Sequence, residues 1–212
     1  MLLIDRIRRR RSSASSERGA AVVEAALIAP VFLLVLFGVI EISSYIFDVN
    51  ASRNGARDGA REASTWASAS LADQNALFKA RRALGGMSKR VDAVIVFKAT
   101  GPKTPVPPAC ITALQGGGDG VADLCNIYRA PQVTNPDELN FGAPVQNCAG
   151  AGLWDRCWPS ITRNDVLTET SRPDFVGVYV RARHKGVTGI IPQITLTATS
   201  VIPIEAQRAS GS

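Results

Sequence analysis

"ERGAAVVEAALIAPVFLLVLFGVIE" runs from Glu17 to Glu41. The 21 residues from Ala20 to Ile40 carry a single charge, Glu24. As a helix at ~1.5 Å per residue they reach roughly 31 Å, the hydrocarbon thickness of a bilayer. Pro30 sits mid-span, where a membrane helix tolerates a kink. The sequence offers no second stretch of this kind, so it predicts a single pass.

The flanks set the expected orientation. Residues 1–19 hold six arginines against Asp5 and Glu17, so about +4 of the net +6 lies there. The other flank, Glu41 to Asn50, has no Lys or Arg. The positive-inside rule then puts residues 1–19 in the cytoplasm as a basic leader and everything after the helix outside. The expected location is the cytoplasmic (inner) membrane, with membrane lipid as a partner. Because the tail accounts for most of the basicity, nucleic acid is not expected as a partner. A cleaved secretory signal fits less well. The apolar run is long for one, and Glu41 to Phe47 continues as helix with no small-residue cleavage site.

Glu24 is the residue that needs a reason. A carboxylate at membrane depth costs ~2.5–3.5 kcal/mol on insertion scales. One reading leaves it near the cytoplasmic headgroups, one turn into the helix. The other comes from spacing. Cleavage between Gly19 and Ala20 would make Ala20 the first residue and Glu24 the fifth. The new amine of one chain could then meet Glu24 of an axially shifted neighbour, and each charge would offset the other in low dielectric.

A basic leader, a glycine and a hydrophobic helix with glutamate at its fifth position mark type IV prepilins. The chain resembles in particular the TadE-like family of minor pseudopilins of the Tad (Flp) pilus system. The resemblance rests on Arg18-Gly19, Val23-Glu24, Ala26-Leu27, Pro30, Gly38, Glu41 and the segment Ala56-Arg57-Asp58-Gly59-Ala60-Arg61. It covers roughly residues 18–65. Ala25 stands where the family usually places an aromatic residue. The resemblance implies a non-enzymatic role in pilus assembly. It also implies a prepilin peptidase, another TadE- or TadF-like pseudopilin and the inner-membrane assembly platform as partners. It further implies a pilin-like fold, in which a long N-terminal helix packs on one face of a sheet.

Beyond the membrane the chain is expected to stay helical from Glu41 to about Ala69. Ala51, Gly55, Gly59 and Ala63 recur every four residues, a small-residue stripe that lets another backbone approach closely. It would serve either a helix contact in an assembled complex or packing on the chain's own sheet. Arg53, Arg57 and Arg61 share that spacing on a neighbouring face, with Asp58 and Glu62 following two of them, and ion pairs and a solvated surface are expected there. A second helix is expected from Leu71 to Leu84, ended by Gly85-Gly86, so residues 41–85 form a helical region.

Residues 90–205 read as a β domain. Val91–Ala99, Asp174–His184 and Gln193–Glu205 are rich in Val, Ile and Thr with partial alternation. They predict a small antiparallel, three-stranded sheet, followed by a tail at 206–212. The fold class is therefore α+β. Between the first two strands lies an insert, residues 100–173, rich in Gly, Pro, Asn and Asp. A loop that long needs a restraint. Cys110, Cys125, Cys148 and Cys157 all fall in it. In an oxidising space they read as disulfides, with sequential pairing favoured because it closes the shortest loops. Zinc held by all four is the alternative, disfavoured because no C-x-x-C pair exists.

Little remains for catalysis. His184, the one histidine, lies beside Arg183 and Lys185 and is expected at the surface. Gly116–Gly120 (GGGDG) lacks Walker or EF-hand spacing and is expected to be a flexible turn. Trp66, Trp154 and Trp158 could bind a sugar or pack on a disulfide. No catalytic triad, metal site or cofactor is expected. The rival to an assembly subunit is a membrane-anchored extracytoplasmic binding module that recognises its ligand through the insert.

Overall fold

The computed structural model describes residues 2–136, 148, 155–168, 171–189 and 192–206, with side chains from residue 19 onward. Helix α1 runs from Leu2 to Thr65 through Pro30 without a break. At ~1.5 Å per residue it is roughly 96 Å long. It stops at Thr65, short of Ala69. Residues 66–71 turn the chain, and α2 (Ala72–Leu84) folds back along α1. A 3-10 turn over Gly85–Arg90 leads into the sheet.

The sheet has five antiparallel strands: β1 (Val91–Ala99), β2 (Gly120–Val121), β3 (Cys125–Arg129), β4 (Phe175–His184) and β5 (Ile194–Pro203). Their order is β2-β3-β1-β4-β5. Ile95 pairs with Ile127 on one side and Tyr179 on the other. Val180 pairs with Ala198. Long-range pairs of this kind draw distant parts of the chain together.

Alternation along the strands assigns two faces. Val94, Val96, Val176, Val178, Val180, Ala182, Leu196 and Ala198 join α1 and α2 in one core. The helical region and the sheet thus share a single packed interior. Ala93, Ile95, Phe97 and Ile127 point the other way and meet Leu114 of α3 (Pro108–Gln115) and the Cys110–Cys125 disulfide. β1 is buried on both faces, which is why its sequence alternates only in part. Gly177 pairs with Phe97 across the strands, and a Cβ there would overlap the Phe97 ring.

The insert is not a restrained loop. It contributes α3, β2, β3 and α4 (Ala130–Thr134), and β3 is a core strand between β2 and β1. The three-stranded expectation therefore falls short by two strands. The cysteines form Cys110–Cys125 and Cys148–Cys157 disulfides with none left free, so no thiolate set remains for zinc. Closing loops of 15 and 9 residues, each stabilises by about 2–3 kcal/mol in the chain-entropy picture.

Candidate functional site: the apolar helix and its buried fastening

Residues 19–40 of α1 are exposed along their whole length, and none of them belongs to the buried core. Gly19, Ala20 and Glu24 all lie in this free segment, and Glu24 has no ion pair among the described residues. The arginines of the leader lie outside the residues with described side chains. By length and composition, this is the one described helix able to cross a membrane.

Burial begins abruptly at Glu41, which is 4% exposed. Its Oε2 accepts from the backbone nitrogens of Val187 at 3.0 Å and Thr188 at 3.2 Å, and from Thr188 Oγ1 at 3.3 Å. Two turns on, Asp48 is buried as well. Its Oδ2 accepts from His184 Nδ1 and from Arg90 Nη1, both at 2.7 Å, and its Oδ1 accepts from Arg90 Nη2 at 2.9 Å. Tyr45 and His184 meet in a T-shaped arrangement, ring centroids 5.4 Å apart. Glu41, Tyr45 and Asp48 fall on one helix face by their i, i+4, i+7 spacing. Together they fasten α1 to the 3-10 turn that leads into β1, the end of β4 and the residues that follow β4.

His184 is thus not a surface residue. It is 1% exposed. The signal that could have placed it is parity. Val176, Val178, Val180 and Ala182 all face the helices, and His184 continues that series. Sealed from solvent, the Asp48–His184 pair is out of a substrate's reach and acts as a fastener.

The small-residue stripe is consumed within the chain. Ala51 and Ala63 are buried. A Cβ on Gly55 would lie 2.7 Å from Leu84 Cγ, and one on Gly59 would lie 3.2 Å from Ala80 Cβ and 3.4 Å from Val178 Cγ1. The close approach therefore belongs mainly to α2 and secondarily to the sheet. Arg53, Arg57 and Arg61 are exposed, and none forms an ion pair among the described residues. Asp58 and Glu62 each directly follow an arginine, and adjacent helical residues do not face each other. Glu62 turns instead to Lys79 Nζ at 3.6 Å and Trp66 Nε1 at 3.0 Å.

A second polar knot ties the far part of the insert down. Arg163 Nη2 lies 2.7 Å from Asp73 Oδ1, both side chains fully buried. Asp73 Oδ2 accepts from Tyr128 Oη at 2.6 Å and Asn126 Nδ2 at 2.9 Å. Asn126 Oδ1 accepts from the backbone nitrogens of Cys157 and Trp158. Arg163 stacks over the Trp158 ring at 4.2 Å, so Trp158 is a core residue. Burial, then the Asp73 carboxylate, push the Tyr128 hydroxyl well above its usual 10.0. Burial also pushes Asp155 above its ordinary 3.8, against the opposing hydrogen bonds from Ser160. Trp66 stays exposed, and Trp154 lies outside the described residues. The GGGDG segment is an ordered turn, its Gly118 carbonyl taken by Arg129 Nη2 at 2.8 Å.

Comparison with known families bears on α1 alone. Residues 19–61 match the family model described as TadE-like protein. The match covers about a fifth of the chain and points to a Tad pilus-associated protein. No curated protein and no solved structure matches. The TadE-like segment contains Glu24, Glu41, Asp48, Gly55 and Gly59. The residues that Glu41 and Asp48 hold (Arg90, His184, Val187 and Thr188) all lie outside it.

Proposed function

We propose that the chain is a minor pseudopilin of a Tad-type pilus, acting in assembly at the cytoplasmic membrane. One observation carries this reading. The TadE-like segment begins with 22 residues, 19–40, that the chain's own domain leaves bare, and a lone carboxylate stands among them. An apolar helix of this length belongs in lipid, and a carboxylate inside lipid calls for a cation from a neighbour. Cleavage between Gly19 and Ala20 by a prepilin peptidase supplies that cation as a new amine. The pairing of Glu24 with it sets the stagger between subunits. The N-terminus then faces the cytoplasm, and the sheet domain stands outside. Other TadE- or TadF-like pseudopilins and the assembly platform are the partners. With the small-residue stripe spent on α2, lateral contacts fall to the bare span and to the outer arginine row.

Intact mass with N-terminal sequencing of protein from its native membrane tests this. A chain beginning at Ala20 supports processing and gives Glu24 its partner. A chain that keeps residues 1–19 removes that amine and the reading with it. The second reading, an anchored binding module, draws on a concavity of about 340 Å³ beside exposed Trp66, with Asp165 and Glu205 in its wall.

A further inference from the structure

We propose that residues 185–189, which follow β4, form a second membrane contact of this protein and rest on the lipid interface beside the emerging helix. This rests on the membrane reading of residues 20–40.

The position of Glu41 carries the inference. Ile40 ends the apolar span, and Glu41 is the first α1 residue that the domain covers. What covers it is this segment, through the backbone nitrogens of Val187 and Thr188. Helical side chains lean toward the helix N-terminus, here toward the bilayer. The Glu41 carboxylate therefore lies on the membrane side of its own Cα, and the segment hydrogen-bonded to it lies at the same depth.

The composition of the segment suits that depth. Glu41 Oε2 accepts from the backbone nitrogens of Val187 and Thr188, so these two donors stay satisfied away from water. Val187 is 66% exposed, an apolar side chain without protein to cover it. Lys185 is exposed two residues before it, and a lysine at this level can set its ammonium among headgroup phosphates. The occupant is lipid because the segment is continuous with a helix end that already stands at the interface. The consequence is mechanical: a second contact fixes the rotation of the sheet domain about α1 relative to the membrane plane.

The test uses the full chain in lipid nanodiscs, with a nitroxide on one introduced cysteine at a time. All four native cysteines are in disulfides and do not compete. Labels go at Val187→Cys, at Lys185→Cys as a second position in the segment, at Leu34→Cys within the span and at Val166→Cys in the insert. Power saturation compares access to oxygen, which partitions into lipid, with access to a water-soluble nickel chelate. The expected oxygen-to-nickel ratio is highest at Leu34, intermediate at Val187 and Lys185, and lowest at Val166. A lipid-like Leu34 with segment positions no different from Val166 overturns the second contact and leaves the anchor standing. A water-like Leu34 removes the anchor and this inference together.

Discussion

His184 Nδ1 lies 2.7 Å from Asp48 Oδ2, across 136 residues of chain. Arg90 shares the same carboxylate, so one buried aspartate on α1 holds the end of β4 and the 3-10 turn that leads into β1. Removing it leaves a buried imidazole and a guanidinium without their acceptor. Asp48→Asn should lower stability by about 3 kcal/mol, the low end for a broken buried pair because Arg90 keeps partial access to water. Denaturant titration of the detergent-solubilised chain measures this. A loss below about 0.5 kcal/mol, the scatter of ordinary surface changes, would mean the fastening is incidental.

The stripe at Ala51, Gly55, Gly59 and Ala63 makes its contacts inside one chain. Gly55→Leu should therefore destabilise the isolated subunit by about 1–3 kcal/mol through overpacking on Leu84. The companion change Leu84→Ala should recover part of the loss. A Gly55→Leu variant with unchanged melting would return the stripe to contacts between subunits.

Burial holds the Asp155 pKa above 3.8. A folded pKa above the unfolded one means that the folded chain keeps a proton the unfolded chain has released. The contribution to stability is whole below pH 3.8 and is lost as pH rises through the folded value. Asp155→Asn does not titrate. The melting temperature of the variant minus that of the wild type should therefore rise from pH 3.5 toward neutrality. A difference that stays flat across that range contradicts the assignment.

The long helix and three of the strands were legible because hydropathy and alternation are local signals. The expected strands match β1, β4 and β5 to within two residues at each end. β2 and β3 escaped because they are two and five residues long and lie in Gly- and Asn-rich sequence. The Asp73–Arg163 and Asp48–His184 pairs escaped for another reason. Each joins residues far apart in the chain, and only the fold's topology brings them together. Parity along β4 is the sequence signal that could have placed His184, which was instead expected at the surface. Glu24 was legible as an anomaly, since a charge within an apolar run stands out without any structure.

The central claim is that Glu24 acts in assembly. Counting surface pili in cells whose native copy is replaced by wild type or Glu24→Ala, at matched membrane levels of the protein, tests it most directly. The account predicts pili with wild type and their loss with Glu24→Ala. Equal piliation in the two strains would contradict it and leave α1 as an anchor alone.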